Sequence, residues 1–300
     1  MRILPIVLLI SCIPAFGQLT VQPQTVKARM IVTAAHFYGE NVPVLTQKDF
    51  SITQLYRPLT VTGVTPLRDN VEMYLLVDNC SDCEPGPKID ELHKFIRSQP
   101  AATAIGVAYV VHGSLRIAEQ PTKNREAVIK ALSPPTGGPP ANPFAALADL
   151  ITQWKPDSTR HMVVMITNGI DPQAEERQRN AAADAAIEAA QRNAVTVFTI
   201  YHPSADYAKG DFYKTYAGQI QIAHVANETG GEAYFLSFGP LPSLGPFLSD
   251  ITEHLANQYA IEFLIAPSEG TGAFQDVSVK ARDRDVEIIA PSRVWVPGKP

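Results

Sequence analysis

The most apolar stretches of this sequence are short, and through the middle of the chain they alternate with segments of helical periodicity. Residues 71–78 are almost all apolar and end in Asp78, and a helix is predicted directly afterwards at residues 88–98. Continuous apolar runs of this length are typical of strands that are buried on both faces of a sheet. We therefore predict that residues 71–78 form the central strand of an α/β domain.

The same alternation continues as far as residue 257. Further strands are predicted at residues 102–111, 115–118, 161–167, 194–201 and 233–236. Further helices are predicted at residues 123–132, 144–152, 173–193, 219–228 and 244–257. Strands and helices that alternate this regularly indicate a mostly parallel sheet with helices on both faces. The carboxyl edge of such a sheet collects ligand-binding loops, so function is expected just beyond Asp78.

The flanking segments have a different pattern, in which short strands follow one another without helices. They are predicted at residues 25–37, 51–55, 59–64, 258–266, 273–281, 286–289 and 294–296, with a hairpin turn at 282–285. Because an isolated hairpin is only marginally stable in water, we predict that the two flanks pack together as one β-rich unit. The predicted organisation is residues 18–69, a central domain at 70–257, and residues 258–300.

The first 17 residues resemble a secretory signal peptide. One positive charge precedes a short apolar run, and the small residues Ala15 and Gly17 follow it, so cleavage is predicted after Gly17. Residues 9–12 also resemble a lipoprotein cleavage box, which leaves processing at Cys12 as the alternative. No later stretch is apolar enough for a transmembrane helix. The mature chain is therefore expected to be secreted or periplasmic, with no membrane insertion after signal cleavage.

Composition narrows the classes of partner. The chain has 300 residues, of which 45% are hydrophobic and 18% charged, with a net charge of -5. A large core is possible, but no run of basic residues interleaved with aromatics appears, so nucleic acid is excluded as a partner. No serine-hydrolase, zinc-protease or phosphate-loop motif is present. The seven histidines are scattered without ligand spacing, and each is expected to be a surface or hydrogen-bonded residue rather than a catalyst.

The cysteines allow two interpretations. Removal of the signal peptide leaves Cys80 and Cys83, which we predict to form a disulfide in an oxidising compartment. Their position between a strand and a helix also permits a thioredoxin-like redox site. Pro85 and Pro87 and the aspartate between the cysteines differ from such a loop, so redox catalysis is kept only as the alternative.

Four stretches, taken in order, resemble the von Willebrand factor A (vWA) domain, and more closely the secreted bacterial VWFA-related proteins. They are the strand at 75–78, the strand and turn at 163–169, the strand at 194–201, and the A-x-x-T-G-G-like turn at 226–231. Residues 39–50 also resemble the G-x-x-V-x-x-L-x-x-x-D-F element that precedes the domain in those bacterial proteins. The resemblance implies a vWA or Rossmann-like fold.

The resemblance also implies a metal-ion-dependent adhesion site, in which D-x-S-x-S, a threonine and a later aspartate hold Mg²⁺. Asp78 matches the first aspartate, but Cys80 and Asp82 replace the serines. Asn168 replaces the later aspartate, and Asn142 lies where the threonine is expected. A thiol is a poor ligand for Mg²⁺, so we predict a degenerate site and no required cofactor.

These observations predict a protein-binding or scaffolding module, not an enzyme. The predicted ligand-binding residues are Asp78, Ser81, Asp82, Asn142 and Asn168. If Mg²⁺ binding is retained, the predicted metal ligands are Asp78, Asp82 and Asn168. The alternative function is a thiol-disulfide oxidoreductase that uses Cys80 and Cys83. The sequence does not identify the protein partner.

Overall fold

The computed structural model describes residues 24–37, 42–68, 71–78, 89–111, 114–133, 142–154, 159–172, 180–203, 212–235 and 243–299. The strands are β1 (Val26–His36), β2 (Phe50–Gln54), β3 (Arg57–Pro58), β4 (Thr60–Pro66), β5 (Val71–Asp78), β6 (Ala104–Val111), β7 (Ser114–Thr122), β8 (Arg160–Thr167), β9 (Thr196–Tyr201), β10 (Ala233–Tyr234), β11 (Gln258–Ile265), β12 (Gly272–Asp276), β13 (Ser278–Ala281), β14 (Val286–Ile289) and β15 (Arg293–Pro297). The helices are α1 (Ile89–Ser98), α2 (Arg125–Ala131), α3 (Pro143–Ile151), α4 (Ala181–Asn193), α5 (Phe212–Glu228) and α6 (Gly245–Ala256), and a 3-10 helix spans Gln47–Asp49.

Six strands form the central sheet, in the order β10-β9-β8-β5-β6-β7. Strand β5 lies between β8 and β6 and is parallel to both, so that Leu75 is paired with Val164 on one side and Val107 on the other. Only the edge strand β7 runs antiparallel. The predicted central position of residues 71–78 and the mostly parallel sheet are therefore confirmed.

The side chains of β5 alternate between two cores, one on each face of the sheet. Met73, Leu75 and Val77 pack with α1, α2 and α6, whereas Tyr74 and Leu76 pack with α3, α4 and α5. Each fully buried large apolar side chain stabilises the fold by about 1.5–3 kcal/mol relative to an exposed one. Burial on both faces therefore explains why the apolar pattern of β5 is continuous rather than alternating.

Helix α4 packs closely against α3 because its inner face consists of small residues. Asn180 caps the helix by accepting from the backbone N–H groups of Ala182 and Ala183. Ala183, Ala186 and Ala190 are buried in the same core as α3. Helix α4 is the described part of the helix predicted at residues 173–193, and residues 173–179 of the prediction lie outside the described residues.

The segments before and after the central domain pair directly with each other. Strand β1 lies between β11 and β14 in a four-stranded sheet, β14-β1-β11-β4, and β13 extends the β2–β3 hairpin. Strands from both segments bury one common apolar core. The strand pairing supports one β-rich unit, while the division of the chain into separate domains stays a prediction. No helix among the described residues is long and apolar enough to cross a bilayer.

Two details of the C-terminal prediction are wrong. The single strand expected at residues 273–281 is two strands, β12 and β13, which belong to different sheets, and between them the Val277 N–H donates to the Ser292 carbonyl. The turn at residues 282–285 does not form a hairpin, because β13 pairs with β2 while β14 pairs with β1. The alternating pattern indicates strands correctly but does not show which sheet each one joins.

Helix α5 is longer than predicted. The sequence pattern placed its start at residue 219, whereas the helix begins at Phe212. The additional turns carry exposed aromatic residues, so they lack the apolar-inside periodicity on which the prediction depended.

The β2–β3 hairpin closes through two bulky residues in left-handed backbone conformations. Leu55 has φ 47° and Tyr56 has φ 65°. Their side chains are 84% and 100% exposed, so no tertiary packing compensates for this backbone. The positive φ at both central positions is that of a type I′ turn, which strongly favours Asn-Gly.

We expect the double substitution Leu55→Asn with Tyr56→Gly to raise the free energy of unfolding by about 1–2 kcal/mol, since it removes left-handed strain at two residues. Urea denaturation measures the change. The matched control, Leu55→Ala with Tyr56→Ala, removes the same exposed side chains but keeps the strain and should not stabilise the chain. Equal midpoints for both variants would contradict this explanation.

Candidate functional site

The predicted crevice lies where β5 and β8 end side by side at the carboxyl edge of the sheet. Thr167, the last residue of β8, donates from Oγ1 to Oδ2 of Asp78 at 2.8 Å. The Gly169 N–H in turn donates to Thr167 Oγ1 at 3.0 Å. Asp78 is 5% exposed, and among the described residues no donor lies within hydrogen-bonding distance of its Oδ1. One oxygen of a buried carboxyl group is thus left available.

Burial raises the pKa of Asp78 to about 6, and the hydrogen bond from Thr167 only partly opposes this shift. A single hydroxyl donor does not replace the water that solvates a carboxylate, so the charged form is disfavoured. The carboxyl group therefore changes charge state close to neutral pH, and a cation or a hydrogen-bond donor would stabilise its ionised form.

Asn168 lies in the turn after β8, and its side chain stabilises that turn. Its Oδ1 accepts from the Ile170 N–H at 2.8 Å. Gly169 has φ 70°, and a Cβ atom there would lie 2.4 Å from the Gly218 carbonyl oxygen of α5. The turn needs glycine both for its backbone conformation and for this close approach.

Asn142 links the start of α3 to the loop after β8. Its Oδ1 caps the helix by accepting from the N–H groups of Phe144 and Ala145, at 3.1 and 3.0 Å. Its Nδ2 donates to Oδ2 of Asp171 at 2.8 Å. The structure thus brings Asp171 into the site, although the sequence analysis did not select it. Its position just after the Asn168-Gly169 turn was the available signal.

His202 also follows a strand end at this edge. Its backbone N–H donates to the Thr167 carbonyl at 2.8 Å. Burial lowers the pKa of His202 to about 4, so the imidazole is neutral at physiological pH. The sequence analysis treated this histidine as unremarkable, because only the pairing of β8 with β9 places it beside Thr167.

Two candidate residues of a Mg²⁺ site have side-chain oxygens that already accept hydrogen bonds. Mg²⁺ demands near-octahedral oxygen ligands, and the side-chain oxygens of Asn142 and Asn168 each accept backbone hydrogens of their own loops. Of the predicted metal ligands in the described residues, Asp78 alone has an oxygen without a donor. Cys80, Ser81, Asp82 and Cys83 lie outside the described residues.

An aromatic rim lies on the first turns of α5, the helix that contacts the turn after β8. We define this rim as the exposed side chains of Phe212, Tyr213, Tyr216 and Ile220. The contact between Gly169 and Gly218 fixes α5 against the turn after β8. At about 1.5 Å of rise and about 100° of rotation per residue, the rim residues lie within about 9 Å of Gly218 along the helix axis, on the opposite face of the helix.

A second group of polar residues was missed by the sequence analysis. Glu232, Asp250 and His254 bring potential metal-ligand atoms within 4.8 Å of one another. The sequence analysis found no ligand spacing among the histidines and did not select His254. The i, i+4 spacing of Asp250 and His254 on α6 was a usable signal, but Glu232 joins them only through the packing of α6 against β10.

No known family and no curated protein matches the sequence. Solved structures with a similar backbone include an aerotolerance-related membrane protein from Bacteroides fragilis, with 13% identity over 62% of this chain and 98% of that chain and a TM-score of 0.43. They also include the vWF domain of the type V pili tip protein Mfa5 from Porphyromonas gingivalis, with 10% identity, 62% and 95% coverage and a TM-score of 0.45. The ArnB paralog VWA2 from Sulfolobus acidocaldarius has 10% identity, 91% and 76% coverage and a TM-score of 0.39.

The class of the central domain follows from its own architecture. A mostly parallel six-stranded sheet, with helices on both faces and its candidate site at the carboxyl ends of β5 and β8, is a vWA-like fold. The chain thus contains a vWA-like domain, as the sequence predicts. Identities and TM-scores this low carry no argument about activity or partners.

We expect Gly169→Ala to lower the free energy of unfolding by about 3 kcal/mol, since the new methyl group adds overpacking against α5 to left-handed strain. The matched control is Gly270→Ala, because Gly270 has a similar φ of 64° but nothing within 4 Å of the new Cβ. Gly270→Ala should lower the free energy of unfolding by only about 1 kcal/mol. Urea midpoints measure both, and equal losses would show that the contact with α5 is unimportant.

We expect Asp78→Asn to stabilise the chain above pH 6 and to have little effect below pH 4. The ordinary carboxyl pKa is 3.8, and the pKa of Asp78 in the folded chain is about 6. Between these two values the folded chain binds more protons than the unfolded chain, so the stability of the parent protein falls as the pH rises. The asparagine amide carries no charge, so the variant avoids the free-energy cost of ionising the buried carboxyl group, which is up to about 3 kcal/mol. Urea denaturation of both proteins without divalent metal, at roughly pH 4 and pH 8, measures the difference. A variant less stable than the parent at the higher pH would contradict the burial argument.

Proposed function

We propose that this chain is an exported protein-binding module that holds its partner at the Asp78 crevice and the adjacent aromatic rim, without catalysing a reaction. The observation that carries the proposal is the rim, whose exposed side chains share one face of the helix that contacts the turn at the predicted ligand-binding edge of the sheet.

The chemistry of the rim suits a protein partner. Aromatic residues are enriched in protein interfaces because they bury much apolar area while losing few rotatable bonds. Tyr213 also presents a hydroxyl group that can be hydrogen-bonded at a partly wet interface. Exposed apolar side chains that cluster, rather than occurring singly, mark interaction sites.

The crevice supplies polar specificity beside this apolar area. Asp78 Oδ1 is a buried acceptor without a donor among the described residues, and a donor from a partner would satisfy it. In this proposal the adhesion site is degenerate, and a hydroxyl, amide or cationic side chain of the partner takes the place of the metal ion. The remaining candidate binding residues, Ser81 and Asp82, follow Asp78 directly in the chain.

Export and the disulfide are parts of the same proposal. The signal-like first 17 residues support secretion or a periplasmic location, with cleavage after Gly17 and lipoprotein processing at Cys12 as the alternative. A Cys80–Cys83 disulfide would shape the loop after β5 more than stabilise the fold, because so short a loop contributes only about 2 kcal/mol in the chain-entropy model.

The test compares variants of the exported protein in affinity capture from the source cell envelope. Tyr213→Ser with Tyr216→Ser should weaken binding of the captured partner at least about tenfold, as expected for loss of central aromatic contacts. The matched control is Tyr56→Ser, which removes a fully exposed tyrosine from the β2–β3 hairpin and should leave the affinity unchanged. Calorimetry with the purified partner measures each dissociation constant.

The proposal is wrong if every captured protein binds the rim variant and the control equally well. The same preparation should also fail to reduce insulin with dithiothreitol as electron donor. Turnover that disappears in Cys80→Ser would instead establish the thiol-disulfide oxidoreductase.

A further inference from the structure

The cluster of Glu232, Asp250 and His254 lies away from the crevice, where α6 packs against the sheet. Glu232 immediately precedes β10, and Asp250 and His254 are one turn apart on α6. His254 Nε2 lies 3.7 Å from Glu232 Oε2, and His254 Nδ1 lies 3.7 Å from Asp250 Oδ2. These separations are too long for hydrogen bonds, so the imidazole lies between two carboxylates without bonding directly to either.

The side chains around the cluster hold it in place. The Tyr234 hydroxyl donates to Asp250 Oδ2 at 2.7 Å, and the ring of Phe198 stacks on His254 at a centroid distance of 6.0 Å. Burial and the neighbouring Asp250 raise the pKa of Tyr234, so its hydroxyl stays protonated and remains a donor. His254 itself is buried. A fixed imidazole and an oriented carboxylate are the arrangement found around bound metal ions.

Carboxyl groups outnumber basic groups around the cluster. Glu232 interacts electrostatically with His254 and with two other carboxyl groups, those of Asp250 and Glu287. Glu287 belongs to β14, so carboxyl groups from β14, α6 and the residue before β10 act on one place. Over the described part of the chain, no lysine or arginine forms an ion pair with Glu232 or Asp250. Three carboxyl groups therefore act on the place where one imidazole lies.

We propose that Glu232, Asp250 and His254 bind a zinc ion. One imidazole nitrogen and one oxygen from each carboxylate lie within 4.8 Å of one another. Zinc ligands about 2.0–2.1 Å from the metal are about 3.4 Å apart at the tetrahedral angle. The two 3.7 Å separations involve different ring nitrogens, so a zinc ion bound through one nitrogen uses only one of them, and the other carboxylate must move closer from within 4.8 Å. An imidazole beside carboxylates suits zinc, whereas Mg²⁺ and Ca²⁺ prefer oxygen ligands alone.

A zinc ion here would tie α6 to the residue before β10. Three protein ligands leave the fourth tetrahedral position to water, and Tyr234 would orient the Asp250 carboxylate as an outer partner. Because α6 leads directly into β11 of the β-rich unit, the ion would also stabilise the connection between the vWA-like domain and that unit. The proposal does not depend on the proposed function, since none of these residues lies at the crevice.

The test is calorimetric titration of the chelator-treated, exported chain with Zn²⁺. Asp78, Cys80 and Cys83 offer competing ligands, so the reference protein carries Asp78→Asn, Cys80→Ser and Cys83→Ser. We expect it to bind one zinc ion and to gain thermal stability in doing so. In that background, Glu232→Gln and His254→Gln should each weaken binding by more than about tenfold, and Tyr234→Phe by about 10–100-fold.

The matched control is His224→Gln, which alters a more exposed histidine that pairs with Asp184 at 3.6 Å and has no third metal-ligand side chain beside it among the described residues. The control should leave zinc affinity unchanged, and circular dichroism verifies that each variant is folded. If His254→Gln does not fold, Glu232→Gln and Tyr234→Phe decide the matter, because both change groups at the edge of the cluster. A reference protein that binds no zinc, or binding that all these variants retain, would overturn the proposal and leave a structural histidine–carboxylate cluster.

Discussion

Burial of β5 on both faces is the constraint on which the rest of the domain depends. Its backbone pairs with β6 and β8, and its side chains fill the cores on both faces of the sheet. A strand in this position cannot shift its register by one residue without exchanging the contents of both cores. The position of Asp78 at the end of the strand is therefore fixed by packing, and the carboxyl group is carried out of water by the same burial. The unusual protonation behaviour of the crevice is thus a consequence of the sheet.

The pairing of β1 with β11 imposes a second constraint, since it joins segments more than 200 residues apart in the sequence. Strand β11 follows α6 directly, so any displacement of that helix would act on the four-stranded sheet. Arg160 strengthens the junction, because its guanidinium donates to the Leu255 carbonyl at 2.8 Å and to Gln258 Oε1 at 3.0 Å. Buried hydrogen bonds therefore connect the start of β8 to the end of α6 and the start of β11.

The sequence was sufficient to predict the elements whose patterns are local. Strand β5 and the order of strands and helices follow from periodicity, and Asp78 follows from its place after the most apolar strand. The rest depends on contacts between distant segments. The strand predicted at residues 273–281 is interrupted at Val277 because β12 and β13 pair with different strands. The alternation of apolar and polar residues is the same in either sheet, so the sequence does not show the interruption. Asn142 lacks the expected hydroxyl, as the sequence shows, but its bond to Asp171 arises only when two loops meet. Glu232 reaches His254 through tertiary packing in the same way.

Uncompensated polar groups lie at two separated places in the central domain. At the carboxyl end of β5, Asp78 keeps a buried oxygen without a donor among the described residues; next to the amino end of β10, carboxylates surround one histidine. The Asp78 oxygen is unfavourable by itself, because a buried polar group is destabilising unless it is paired. The half-exposed carboxylates of Glu232 and Asp250 are unfavourable because like charges close together repel each other. Both persist because well-packed strands and helices fix the side chains that carry them. A ligand that supplies a donor or a positive charge removes the unfavourable contribution only in the folded chain, so binding at either place adds to stability. This coupling gives a physical reason why a fold with a complete apolar core retains such groups.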